Sequence, residues 1–191
     1  MKRFDGFALV CKRESLNMYA FDMDKDICMV KPEAAIEVSM HEDPQAISFL
    51  EESSIKERLA RGDRIFVACA EKNPVAQIFA AVNNTYIGEI NDWLNIPPKE
   101  VYLYDAYTDP RYRNKQIYHH LICCAASYFK TRSYAYALIF SAAANAYSVR
   151  GITHCGFQCY EIVHYWNFFG WQSWKYDVGE RHVGARLSNE D

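Results

Sequence analysis

Three cations fall within five residues, at Arg111, Arg113 and Lys115. They lie between an aromatic run at 101–108 and an apolar-periodic run that starts near 115. The first run reads as a strand and the second as a helix. A helix's first turn carries backbone N–H groups without internal acceptors and sits at the positive end of the helix dipole. Cations and unpaired N–H groups meeting at a strand end make an anion site, suited to a phosphate-bearing ligand laid against the strand. Asp105 is the carboxylate in the middle of that strand, with Tyr104 and Tyr107 beside it. A carboxylate there can take up a proton or anchor a substrate; pairing with a neighbouring tyrosine or amide is the purely structural alternative.

The elements that must position these groups follow from the apolar pattern. The runs 7–12, 16–21 and 27–30, separated by polar breaks, read as a small antiparallel meander, with 35–40 as one more strand. Asp43 and Pro44 suit the N-cap and first position of a helix. Ile47, Leu50, Ile55 and Leu59 follow at roughly helical spacing until Arg61-Gly62-Asp63 ends it. Runs 65–70 and 75–82 form a hairpin around Glu71-Lys72-Asn73-Pro74. Segment 83–99, with Gly88, Trp93, Pro97 and Pro98, reads as a long loop, either a substrate-facing flap or a plain surface excursion. Beyond the basic turn, Ile117, Leu121, Cys124, Ala125 and Tyr128 give a helix over 115–130 its apolar face. A strand at 134–141, a helix at 145–154 stopped by Gly156, and an aromatic hairpin of 157–166 and 171–178 complete the order. A strand–helix–strand unit requires a parallel pair, so the expected class is α/β in its α+β form: a mixed, mostly antiparallel sheet flanked by helices.

With 191 residues, half of them hydrophobic and 24% charged, the chain is long enough for one full core. The expected division is a strand extension at 1–34 packed on the same domain, a main domain at 35–178, and a polar tail at 179–191 that frays. A net charge of −3 argues against a general nucleic-acid binder. Phe4-Asp5-Gly6 follows Met1-Lys2-Arg3 where a secretory leader would turn apolar, and no apolar run is long enough to span a bilayer. Seven cysteines, mostly inside apolar runs, suit reduced thiols in a cytoplasmic protein. His154, Cys155, Cys159 and His164 match no common ligand spacing, so no metal is expected.

Two motifs, in order around a helix and a strand, resemble the GNAT acyltransferase superfamily. The first is Thr108-Asp109-Pro110-Arg111-Tyr112-Arg113-Asn114-Lys115-Gln116-Ile117-Tyr118, similar to the family's V-x-P-x-Y-R-G-K-G-I-G. The second is Asn145, Ser148 and Gly156-Phe157, at offsets of three, eleven and twelve, similar to N-x-x-A…G-F. The resemblance is strongest over 100–157 and extends from about 35 to 178. It implies that the strand ending at Thr108 splays from its parallel neighbour. The pantetheine arm of acetyl-CoA, or of another acyl-CoA, would lie in the gap, bonded to backbone around Tyr107 and Thr108. The pyrophosphate would rest on the amides of Asn114, Lys115, Gln116, Ile117 and Tyr118, with Arg113 beside them. Asn145 and Ser148 would contact the pantetheine arm, and Asn145 also suits a helix N-cap. The family places glycines where this chain has Gln116 and Tyr118; some surface-polysaccharide-linked members resemble it in carrying R-G-x-G-I-Y.

The implied reaction is direct attack of an amine or alcohol on the thioester. Many relatives carry a glutamate at the position of Tyr104, which Asp105 follows here. Asp105, Tyr104 and Tyr107 are therefore the catalytic candidates. The tyrosine that relatives often place seven residues after the motif asparagine is Ile152 in this chain, and Tyr147 lies on a different helical face from it. These residues lead to an acyl-CoA-dependent N- or O-acyltransferase, transferring acetyl to a small metabolite or sugar-type acceptor. Two alternatives stay open. One is a non-catalytic binding protein of the same fold, motivated by Gln116 and Ile152. The other is a transferase fed by acyl carrier protein, whose acidic surface would meet Arg111, Arg113 and Lys115. No nucleic-acid or membrane partner is expected. A homodimer is left open, because Trp166, Trp171 and Trp174 could shape an acceptor pocket or an oligomer face, although core packing is the first expectation.

Overall fold

Leu16, Met18 and Ala20 pack into one apolar cluster, while Tyr19, Phe21 and Met23 pack into another. That alternation is a strand buried on both faces. The strand is β1 (Lys12–Asp22), and it pairs antiparallel with β8 (Tyr136–Ala142) on one side and β9 (Gln158–Phe168) on the other. The computed structural model describes residues 11–41, 52–180 and 182–190. Its main sheet has eight strands in the order β10-β9-β1-β8-β7-β4-β3-β2. The other strands are β2 (Glu37–His41), β3 (Arg64–Ala70), β4 (Asn73–Ala81), β7 (Glu100–Thr108) and β10 (Trp171–Val178). Every neighbouring pair is antiparallel except β7 with β8.

Period-two alternation assigns the two faces. Phe66 and Ala68 of β3 meet the helix α2 (Ile117–Lys130), whose Ile117, Leu121, Ala125 and Phe129 recur every four residues. Ile65 and Val67 point the other way, with Phe79, onto Ile55 of α1 (Glu52–Ala60). Ile152 of the third helix, α3 (Ala146–His154), is fully buried in the α2 cluster. Each such aliphatic side chain contributes about 1.5–3 kcal/mol through burial. The sheet and α2 are therefore a rigid base for what lies at their ends.

Several expectations are corrected. The meander is one long strand where it is described, because β8 and β9 satisfy both edges of β1; residues 27–30 form no strand, and 7–10 lie outside the described residues. Asp43, Pro44, Ile47 and Leu50 also lie outside them. Segment 83–99 is a hairpin of β5 (Thr85–Ile87) and β6 (Asp92–Asn95), extended by β11 (Arg186–Leu187) from the tail. The tail does not fray there, because the buried Glu100 carboxylate accepts from the N–H groups of Gly184 (2.6 Å) and Ala185 (3.0 Å). Trp171 is 88% exposed rather than packed in the core. Trp174 is half-buried and donates from its indole to Ile90 O (2.8 Å).

Candidate active site

The parallel pair is short. β7 and β8 pair only over 100–103 against 136–139, after which β8 stays with β1 and β7 stays with β4. At the departure β7 carries a bulge. Gln77 faces Tyr107 and Phe79 faces Tyr104, so Asp105 and Ala106 together oppose Ile78, and Asp105 has φ 47°. A bulge bends its strand and re-aims side chains. The buried first half of β7 gives way to an exposed second half, and a gap opens between the two strands.

One side of that gap is a groove of about 560 Å³ running from the end of β7 over the start of α2. Tyr107, Thr108, Arg113, Asn114, Gln116, Ile117, Tyr118, Asn145 and Ser148 all line it, whereas Lys115 stands aside with its ammonium 5.0 Å from the Tyr112 ring centroid. The turn into α2 is built by Asp109. Its carboxylate accepts from the Arg111 backbone N–H (2.9 Å), Nε (3.1 Å) and Nη2 (2.7 Å), capping the short 3-10 helix Pro110–Tyr112. The Arg111 side chain, then its backbone N–H, hold the Asp109 carboxyl down to about 2. Asp109 thus neutralises Arg111. Arg113 donates from Nε to Thr108 O (3.2 Å) and is exposed.

Asn114 has φ 61° and Gln116 has φ 60°, both in the left-handed region, and Gln116 is the N-cap residue of α2 without any side-chain capping bond. Tyr118 has no such backbone, since it lies in the helix. The conformational demand for glycine therefore falls on Asn114 and Gln116. Two left-handed residues leading into a helix turn successive N–H groups toward one concavity, a nest that binds anions. The first-turn N–H groups of α2 add to it.

Across the gap lies a second cavity of about 290 Å³, lined by Tyr102, Tyr104, Asp105, Phe140, Ser141 and, from the β5–β6 hairpin, Glu89. Among the described residues no lysine or arginine lines it. Asp105 pairs with Arg58 of α1 at 2.5 Å, and Arg58 stands 4.4 Å from the Phe79 ring centroid and 5.3 Å from that of Tyr104. The Tyr104 hydroxyl donates to Asp63 Oδ2 (2.5 Å) and accepts from Arg61 Nη2 (3.0 Å). Burial first, and Asp63 second, raise the Tyr104 hydroxyl above tyrosine's ordinary pKa, so it stays protonated and engaged. Burial does the same to Tyr102, whose ring stacks on Tyr104 at 5.4 Å.

Asn145 is the N-cap of α3, its Oδ1 accepting from the Ser148 N–H (3.1 Å), and both residues also line the two cavities. The capping bond itself stabilises the helix by about 1 kcal/mol. Gly151 lets α3 lie against α2: a Cβ there would stand 2.7 Å from His119 Cδ2 and 2.8 Å from Tyr118 Cε1. His119 lines the groove, and burial, with His154 nearby, lowers its pKa. Tyr147 is 78% exposed. Of the residues considered for a metal, His164 bonds Ser15 (2.8 Å) and Asp177 (3.1 Å), while Cys155 is buried and Cys159 exposed.

Reading the sequence alone missed Arg58, Arg61, Asp63 and Glu89. Asp63 looked like part of a helix stop, and its 2% exposure has no periodic signature. Glu89 lies between β5 and β6, in a stretch whose composition reads as a loop. Arg58 sits at an ordinary charged position of α1, three residues from the buried Ile55.

A mostly antiparallel sheet whose one parallel pair splays beside the start of α2 is the mixed α+β architecture of the GNAT fold. The chain belongs to the acetyltransferase (GNAT) family, whose model matches residues 32–157. No curated protein matches the chain. Among solved structures it is similar to a Drosophila protein, at 10% identity and a TM-score of 0.60 over 82% of this chain and 51% of the other. It is similar to a GNAT-family protein from Novosphingobium aromaticivorans, at 14% identity and a TM-score of 0.55 over 80% of this chain and 63% of that one. A GCN5-related N-acetyltransferase from Sphaerobacter thermophilus matches at 8% identity and a TM-score of 0.60, over 88% and 54%. In each case this chain spans less than two thirds of the other protein's length, and the likeness is one of fold. No helix among the described residues is long and apolar enough to cross a membrane.

Proposed function

We propose that the protein transfers an acyl group, acetyl in the first instance, from acyl-CoA to a small amine. The observation that carries this reading is the gap between β7 and β8, which joins a cationic, N–H-rich groove on one side to an acidic, aromatic cavity on the other. The groove suits the donor. The nest at Asn114 and Gln116, the first turn of α2 and Arg113 would take the pyrophosphate. Exposed backbone of Tyr107 and Thr108 would hold the pantetheine arm as an added strand, with Asn145 and Ser148 opposite.

The acidic cavity suits the acceptor. Glu89 favours an ammonium over an anionic metabolite, while the charge of Asp105 is offset by Arg58, and the stacked Tyr102 and Tyr104 rings offer π faces to the same cation. Attack requires the neutral amine, so one proton must leave the nitrogen before or during C–N bond formation. Asp105 would accept a hydrogen bond from that nitrogen, with Arg58 fixing its carboxylate. Tyr104 contributes through its ring, because its hydroxyl is committed to Asp63. Hydroxyl acceptors, including sugars, fit this cavity less well, since it presents no group of the same strength to them.

Calorimetric titration with acetyl-CoA, longer acyl-CoAs and acyl carrier protein tests the donor. Acetyl-CoA should bind, and Arg113→Ala should weaken it by about tenfold, as expected for one charge-assisted phosphate contact. A screen of amines and alcohols monitored by free CoA release then tests the acceptor. Binding without turnover of any acceptor would favour the non-catalytic reading, which the fully buried Ile152 motivates. A salt-sensitive preference for the carrier protein would replace the CoA reading.

A further inference from the structure

If donor and acceptor lie on opposite sides of the β7–β8 gap, the acyl group changes partners where the two cavities meet. Four residues line both: Ala106, Tyr118, Asn145 and Ser148. Ala106 has no polar side chain, and the Asn145 oxygen is engaged in capping α3. That leaves two hydroxyls, which line the same junction; burial raises the pKa of the Tyr118 phenol, and the Ser148 hydroxyl acts against that larger effect to lower it. The tyrosine ring is also held against α3, because Gly151 leaves it room where a Cβ would stand only 2.8 Å from Tyr118 Cε1. The other aromatic hydroxyls are excluded by position. Tyr102 and Tyr104 line only the acceptor side, and Tyr107, Tyr112 and Tyr147 only the donor side.

We infer that the Tyr118 hydroxyl donates a hydrogen bond to the sulfur of the acyl donor and stabilises the thiolate as it leaves. This rests on the acyl-CoA reading above and assigns a catalytic role to the first turn of α2, where the position of Ile152 offers only a buried aliphatic side chain. The balance is simple. The amine lone pair forms the C–N bond, the C–S bond breaks with its electron pair on sulfur, and the proton lost by nitrogen finally neutralises the thiolate. Tyr118 keeps its own proton throughout. Burial holds its hydroxyl up at about 12, and a group that weakly acidic does not protonate a thiolate whose conjugate acid lies near about 8.5. It lowers the charge on sulfur by hydrogen bonding, aided by the positive end of α2. Ser148, which lines the same junction beside the phenol, is the positioning residue.

The test needs no acceptor, because CoA itself carries the leaving group. A site that stabilises the thiolate depresses the bound thiol's pKa, so binding tightens as pH rises through the free thiol's value; one unit of depression is tenfold. CoA and desulfo-CoA, which lacks the sulfur, are titrated calorimetrically between about pH 6 and about pH 10, a range that brackets the thiol. For the wild-type protein the ratio of CoA to desulfo-CoA affinity should rise about tenfold from the lower to the upper end, the shared phosphates and the protein's own titrations cancelling in the ratio. Tyr118→Phe should bind both ligands alike and lose the rise. Thiolate absorbance of CoA bound to the wild-type protein gives a second readout, independent of how well the variant folds. An unchanged rise in Tyr118→Phe, or a bound thiol no more acidic than the free one, overturns the inference while leaving the donor reading intact. Binding of neither ligand at any pH overturns both.

Discussion

Replacing Gln116 by glycine should stabilise the protein, although it deletes a side chain. Gln116 is exposed, makes no capping bond, and holds φ 60°. A left-handed backbone strains a residue with a Cβ by about 1–2 kcal/mol. Glycine relieves that strain but gives back about 0.5–1 kcal/mol through the greater freedom of the unfolded chain. The net gain is about 0.5–1 kcal/mol, a rise in Tm of about 1–4 °C for a chain of this size. Tyr118→Gly is the matched control. There the backbone is helical and the ring is packed against the α2 cluster, so glycine loses about 1 kcal/mol of helix propensity and the ring's burial besides, about 3 kcal/mol or more in total. Thermal melts followed by circular dichroism read both variants. A second consequence is checked by calorimetry: Gln116→Gly clears side-chain atoms from the groove, so acetyl-CoA should bind at least as tightly as to the parent. A fall in Tm for Gln116→Gly, or a rise for Tyr118→Gly, would refute the assignment of the strained position to residue 116.

Three other outcomes follow from named contacts. Asn145→Ala removes the α3 cap and should lower stability by about 1 kcal/mol, measured by urea denaturation, with Asn145→Gly losing only a few tenths. Glu100→Ala removes two charge-assisted bonds to Gly184 and Ala185, about 1.5–3 kcal/mol each in favourable cases, and should speed hydrogen exchange at those two amides before the rest of the sheet. For Asp109, Arg111 depresses the folded-state pKa from 3.8 to about 2. The turn's pairing therefore contributes above the unfolded value and is lost only as pH falls through about 2, which carboxyl NMR shifts of Asp109 against those of Arg111→Ala would follow.

Local pattern decided a large part of this protein. The continuous apolar runs of β3 and β4, the four-residue recurrence on α2, the cap at Asn145 and the stop at Gly156, with φ 87°, are all properties of neighbouring residues. So is the gathering of Arg111, Arg113 and Asn114 at a strand-to-helix turn, which needs only that the strand and helix form. Tertiary structure decided what depends on distant partners. β5 and β6 were unreadable because their third strand, β11, comes from the tail; β1 looked broken because the strands that complete it lie at 136–142 and 158–168. Tyr104 and Asp105 could be named from sequence, but not that Asp63 holds one and Arg58 the other, 41 and 47 residues away. The basic turn itself changed in the same way. Its charges were visible in the chain, whereas which residues must be left-handed depends on how the turn closes between the bulged end of β7 and the first turn of α2.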